Sequence, residues 1–445
     1  MTPNSTNSFC HARAVPVDLS DPNLEDWQWD AAPLYCTTST SGVKPSDAPS
    51  GAWRTSLGQW QYQDGSGAVY VSDDGRAWRV AKGTFPVGTV CDFFPLPRIC
   101  SGCAAVNGNV SSGQMPTHVH EAQNGYSLVV LAEGGRDEAG KLTVIPDGGA
   151  SVASAWSLGL PPSCDYGEFA FPKSCVDPVK NRRLQYGWVH GPFPGGFNGE
   201  EDAILDGVLT YKVNHQSLLR EVTFDPRLGM LCFLPVEEMT LLSQEVLADI
   251  RTPTAVPAGG VLPLRTPPNV ANQSEVRVSF TVPSVSVTFG VRVMASTGPC
   301  PGGVCPPRNF TSSGLDFAVA FTPPTSAGAA AWGVGVGSGL NPTVGRLPLL
   351  RTDEEIDIVV YVDHTVVEVF FAGGRYPLTA HVPTDLLLPH GGNTWQGVQI
   401  FASGAGVTVL NATVWRMADT WDDVRTHGRP NHRTSSAVNV RSILI

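Results

Sequence analysis

Carboxylates set beside prolines and aromatic rings are the side chains of this chain that could do chemistry. "VDLSDPNLEDW" (17–27) carries Asp21 in an Asp-Pro-Asn, a carboxylate that could serve as a nucleophile or only shape a loop. "SDAPSGAWR" (46–54) offers Asp47, and "TVCDFFP" (89–95) offers Asp92 beside Phe93 and Phe94. Further on, "DYGEFAFPKSCVDPVKNRRLQYGWV" (165–189) sets Asp165 upstream of Tyr186 and Trp188. Splitting a glycosidic bond with retention needs two carboxylic groups about 5 Å apart, one attacking the anomeric carbon and one protonating the leaving oxygen. Aromatic faces beside hydrogen-bonding carboxylates also suit a sugar, although the same rings serve equally as packing.

Other spacings carry less. In "HVHE" (118–121), His118 and His120 share one strand face, but no further ligands accompany them, so no metal and no cofactor is expected. "CSGC" (100–103) has redox spacing without a βαβ context, which reads as a disulfide or a pair of idle thiols. "GVGVGSG" (333–339) matches neither a dinucleotide fingerprint nor a nucleophile elbow. Asp177 and Asp225 each precede a proline and read as turn formers.

The elements that must position these residues are strands. Of 445 residues 47 are Gly and 37 are Pro, and long 3.6-residue apolar periodicity is rare, which predicts an all-β chain of short strands and turns. "YSLVVLAEGG" (126–135), "EVRVSFTVPS" (275–284) and "IDIVVYVDHTVVEVFFAGG" (356–374) are β-branched or aromatic runs ending at turn residues. The last reads as two strands meeting at Asp363 and His364, with Ile356, Ile358, Val360 and Val362 facing one core. A net charge of -11, scattered along the chain, leaves no basic stripe, so nucleic acid is not an expected partner. No apolar run is long enough for a membrane helix, and Met1 opens a polar stretch rather than a signal peptide. Ten cysteines, with Cys300 and Cys305 spaced for a local disulfide, point instead to a secreted or vacuolar ancestry. Asn-x-Ser/Thr sequons at Asn4, Asn109, Asn272, Asn309 and Asn411 agree with it. Nothing in the sequence decides the oligomeric state.

"RTPTAVPAGGVLPLRTPPNV" (251–270) reads as a Pro-rich connector. Before it, residues 1–250 carry tryptophan-rich strands at blade-like spacing, which suits a propeller. After it, 271–417 reads as a β-sandwich, and 418–445 as a tail without periodicity.

Four stretches in register, "AVPVDLSDPNLEDW" (14–27), the Asp165 to Val189 segment, "LLREVTFDPRLGMLCFLPVEE" (218–238) and "VDHTVVEVFFAGGR" (362–375), resemble glycoside hydrolase family 32. These are the invertases, fructan hydrolases and fructosyltransferases, and the resemblance runs from about Phe9 to Met417. It implies a five-bladed β-propeller holding the site, followed by a β-sandwich. By that register Asp21 falls on a later Ser-Asp-Pro loop, and the family's nucleophile stretch would lie about a blade earlier, so the first blade is expected to be missing from the match.

The resemblance also implies an Arg-Asp-Pro aspartate gripping sugar hydroxyls and a glutamate acting as acid/base. Counting back from Trp53 puts Ala48 at the aspartate, while a one-residue slip would return Asp47 to the role. Thr89 falls at the glutamate, or Val90 if Cys91 is aligned instead. The methyl of Ala48 cannot accept a hydroxyl hydrogen bond, and neither Thr89 nor Val90 can deliver a proton near neutral pH. The implied substrate-binding cup comprises Asp92, Phe93, Asp165, Tyr186 and Trp188. The expectation is a β-fructofuranosidase-like protein for sucrose or fructan, catalytically impaired. The alternatives are a non-catalytic fructosyl-sugar binder, or a truncated or decayed gene product.

Overall fold

The computed structural model describes residues 9–18, 26–33, 35–37, 49–55, 57–84, 92–101, 103, 117–121, 127–133, 141–144, 163–189, 203–205, 208–210, 215–267, 271–296, 314–323, 331–338, 345–382 and 395–418. Asp21, Asp47, Ala48, Thr89, Cys300 and Cys305 lie outside them, as does the tail beyond Ala418.

The chain is nearly all β, as its composition predicts. Two small sheets come first: β1 (Phe9–His11) pairs with β4 (Tyr35–Thr37), and β2 (Ala14–Pro16) with β3 (Trp27–Trp29). A disulfide joins Cys10 to Cys36, which face each other across the first pair. Three larger antiparallel sheets follow. The first runs β5 (Trp53–Arg54), β6 (Trp60–Gln63), β7 (Ala68–Ser72), β8 (Arg79–Thr84). The second runs β9 (Asp92–Pro95), β10 (His118–Glu121), β11 (Ser127–Glu133), β12 (Lys141–Val144). In the third, β13 (Phe169–Asp177) and β14 (Arg182–Val189) precede a separate pair, β15 (Ala203–Leu205) with β16 (Val208–Thr210). β17 (His215–Gln216), β18 (Arg220–Asp225) and β19 (Met230–Pro235) then complete that third sheet.

These sheets pack side by side like blades, and strand pleating explains how. Neighbouring residues of a strand point to opposite faces, so Phe93 joins the core of the preceding sheet with Trp53, Tyr62 and Tyr70. Phe94 joins the core of the following one with Phe169, Phe224 and Phe233. The Phe93-Phe94 pair therefore rivets three sheets together. Polar ties at the same seams are buried: Gln63 meets His120 at 3.1 Å, and Gln185 donates to Glu121 at 2.6 Å.

A short 3-10 turn, η1 (Glu237–Leu242), leads into the sandwich. One sheet holds β20 (Ser243–Ile250), β21 (Thr254–Val256) and β23 (Gln273–Thr281), together with β28 (Glu355–Asp363), β29 (Val366–Phe371), β30 (Tyr376–His381) and β32 (Val407–Met417). The other holds β22 (Val261–Leu264), β24 (Val287–Ser296), β25 (Leu315–Phe321), β26 (Ala331–Ser338), β27 (Gly345–Leu350) and β31 (Trp395–Ser403). Ile356, Ile358, Val360 and Val362 alternate into the core, where Phe280, Phe289, Phe317 and Phe371 are fully buried. Each such side chain stabilises the sandwich by about 1.5–3 kcal/mol. The glycine-rich 333–338 stretch lies within β26.

The stretch over 251–270 differs from a plain connector. It supplies β21, paired with β32, and β22, paired with β31, and β20 before it also joins the sandwich. Its prolines allow this because β22, with Pro263, is an edge strand, where a missing N–H costs no ladder bond. Among the described residues no helix is long and apolar enough to cross a membrane.

Candidate active site

A cleft of about 870 Å³ opens where the first small strands, β5 and β9 converge with the end of β13. Trp53, Trp60, Tyr62 and Trp78 give it aromatic walls, Arg13, Arg54 and Arg183 its cations, and Asp74 and Asp92 its carboxylates. Trp53 lies tilted against Phe93 with ring centroids 4.3 Å apart. Trp78 stands edge-on to Tyr62, its indole N–H donating to the carbonyl of Gly75. A box of rings with a few charges is the composition of a small-molecule pocket.

Both carboxylates are already engaged. Asp92 Oδ2 accepts from the Ser174 amide at 2.7 Å and from Ser174 Oγ at 2.6 Å, while Oδ1 accepts from the Phe93 amide at 3.0 Å. Arg183 Nη1 donates to Ser174 Oγ at 3.2 Å and lies over the Phe94 ring. Asp74, at the exposed rim, accepts from the amides of Ala77 and Arg76 and from Ser72 Oγ. These bonds, that from Ala77 foremost, hold its carboxyl below the usual carboxylate range.

The residues expected to form a cup divide between two places. Asp92 and Phe93 line the cleft, Phe93 being only 2% exposed beneath Trp53. Asp165 does not line it. Its side chain is fully buried at the junction with the sandwich, bonded to Arg220 Nη2 at 2.8 Å, to Thr379 Oγ1 at 2.6 Å, and to the Thr379 and Gly167 amides. Tyr186 is exposed on β14, opposite Lys173, and Trp188 stacks on Phe171. Neither lines the cleft.

The remaining motifs resolve plainly. His118 stacks on Phe93 and His120 meets Gln63, so the two imidazoles serve the blade seam. Burial pushes the His118 imidazole down to about 4. Asp177 and Asp225 each accept from the amide two residues on, as Asp-Pro turns do. Cys100 and Cys103 are joined as a disulfide. Ser174, Arg183 and Asp74 are site residues that motif reading did not single out. Their only sequence signal is one hydroxyl, one cation and one carboxylate near apolar strand residues.

With this geometry in view, comparison with known proteins gives a consistent neighbourhood. The model of the glycosyl hydrolases family 32 C terminal matches residues 337–416. A fructan 6-exohydrolase of Beta vulgaris is 24% identical over 96% of this chain and 73% of its own length. An acid beta-fructofuranosidase of Vigna radiata is 26% identical over 86% of this chain and 62% of its own. The chain thus spans roughly two thirds of the length of these relatives. The solved fructan 1-exohydrolase IIa from Cichorium intybus, in complex with 1-kestose, superposes with a TM-score of 0.65 at 20% identity, covering 94% of this chain and 82% of that one. At that identity the likeness speaks to the fold, a β-propeller followed by a β-sandwich.

Proposed function

Because the chain belongs to glycoside hydrolase family 32, we propose that it is a β-fructofuranosidase-like protein that holds the fructosyl unit of sucrose or a fructan and is impaired in cleaving it. Secreted or vacuolar ancestry, from the cysteines and sequons, belongs to the same reading.

One observation carries it: neither described carboxylate of the cleft is set up as a general acid. Such an acid must keep its proton near neutral pH, which requires a raised pKa. Asp74 is held low by its backbone bonds, and Asp92 spends both oxygens on Ser174 and the Phe93 amide. With Thr89 in register with the family's acid/base and Ala48 with its Arg-Asp-Pro aspartate, what remains is an aromatic-walled cleft able to bind. A hydrolytic reading draws on the activities named for the relatives, and it needs Asp47 in the aspartate's role.

The test is titration of the full chain with sucrose and 1-kestose, followed by tryptophan fluorescence and by fructose release. Binding that quenches the cleft tryptophans and weakens with Trp78→Ala, without fructose above background, is the expected result. Turnover that disappears with Asp47→Ala would overturn it.

A further inference from the structure

A second cleft, of about 920 Å³, lies between the last blade and the sandwich, and the Cys100–Cys103 pair stands on its wall beside Asp225. We propose that this pair, once reduced, forms with Asp225 a binding site for one divalent cation of the zinc class.

Geometry carries the proposal. The ligand atoms of Cys100, Cys103 and Asp225 all lie within 4.8 Å of one another. Ligands sharing one tetrahedral zinc, at about 2.0–2.3 Å each, sit roughly 3.5 Å apart. A Cys-x-x-Cys turn is a recurrent zinc-binding unit, and three protein ligands leave the fourth position to water.

The loop is preorganised by bonds that do not involve sulfur. The Cys100 amide donates to the Phe224 carbonyl at 3.0 Å, the Phe224 amide to the Arg98 carbonyl at 2.9 Å, and the Cys103 amide to the Cys100 carbonyl at 3.0 Å. Asp225 is the residue after Phe224 on β18. Opening the disulfide therefore leaves both sulfurs beside the same carboxylate.

Charge balance points the same way. Asp225 is wholly buried and takes a two-pronged bond from Arg227, with Arg375 at 3.7 Å. Arg375 in turn is held by Asp353. A dithiol reductant breaks the S–S bond, supplies two electrons and leaves a proton on each sulfur, itself becoming the disulfide. Cation binding then expels those two protons, and the two thiolate charges cancel the charge of the ion. Arg227 Nη2 lies 3.3 Å from Cys103 Sγ. Cys232 lines the same cleft, and burial pushes its thiol up to about 12.

The experiment uses the full chain, reduced with a phosphine under anaerobic conditions and titrated with Co²⁺ as a coloured substitute for zinc. Expected are one Co²⁺ per chain and a thiolate-to-cobalt charge-transfer band, absent before reduction and displaced by Zn²⁺. Asp225→Asn should weaken binding by roughly tenfold or more. The Cys100→Ser, Cys103→Ser double variant, which keeps the Asp225–Arg227 pair, should abolish the band. No band in the reduced chain, or an undiminished band in the double variant or the unreduced chain, overturns the proposal.

Discussion

Arg220 of the last blade and Glu368 of the sandwich meet with Nη2 2.5 Å from Oε2, their side chains 0% and 4% exposed. The same guanidinium reaches Asp165 and Thr379, and it lies between the rings of Phe169, from the blade, and Phe370, from the sandwich. Burial pushes the Glu368 carboxyl up, against the pull of Arg220. The junction is thus one cation shared by two carboxylates in a dry seam. Such a network is costly to break, because a lost partner leaves charges buried unpaired.

Arg220→Met should cost about 3–5 kcal/mol and uncouple the two regions, so that chemical denaturation shows two transitions in place of one. Adding Glu368→Leu should restore part of the loss. A single unchanged transition for Arg220→Met would remove the network's structural role.

Backbone contacts at the same seam give an independent prediction. The Tyr166 amide donates to the Pro377 carbonyl at 3.0 Å and the Glu168 amide to the Thr379 carbonyl at 2.8 Å. A Cβ on Gly167 would fall 1.9 Å from that Thr379 oxygen. Gly167→Ala should therefore destabilise by more than about 2 kcal/mol and reproduce the two-transition behaviour. Gly259→Ala has strain but open space around it, with φ of +67°, and should cost only about 1 kcal/mol. Equal losses from the two changes would contradict the close approach.

What could be read from the sequence was local. Ile356 to Val362 alternates visibly, and that periodicity is enough to predict a strand with one buried face. Phe93 and Phe94 are visible as apolar neighbours, though only the packed sheets reveal that they serve opposite cores. Long-range pairing is what sequence hides: Ser174 meets Asp92 from 82 residues away, and Arg220 meets Glu368 from 148. Asp165 illustrates the cost. Its Asp-Tyr-Gly motif suggested a sugar ligand, yet its carboxylate faces Arg220 and Thr379 at the seam. A faint signal existed in "VVEVFF", where Glu368 interrupts an apolar strand and so demands a buried cation.

His118 makes stability depend on pH. Its ordinary value of 6.5 falls to about 4 in the folded chain because burial disfavours the charged ring. Between those values the unfolded chain binds a proton that the folded chain refuses, so stability declines as pH falls from 6.5 towards 4. After allowance for partial solvent access, the loss should be about 1–2 kcal/mol. His118→Phe keeps a ring against Phe93 but cannot titrate, and melting curves across that range should be flatter than those of the parent. Identical slopes would show that His118 is solvated.

Asp92 separates a packing role from a chemical one. Its bonds to the Ser174 amide and hydroxyl span the seam between two sheets. Asp92→Ala should therefore cost about 2 kcal/mol, chiefly by leaving the Ser174 amide without a partner. Asp92→Asn retains one oxygen acceptor for Ser174 but turns its amide nitrogen toward the Phe93 amide, so it should recover only part of that stability. Sugar affinity, read by tryptophan fluorescence, should follow the fold in both variants: lowered with Ala, less so with Asn. If Asn kept full stability but lost sugar binding, the carboxylate's charge would be contacting the sugar directly, and Asp92 would be a binding group rather than a strut beneath Trp53 and Phe93.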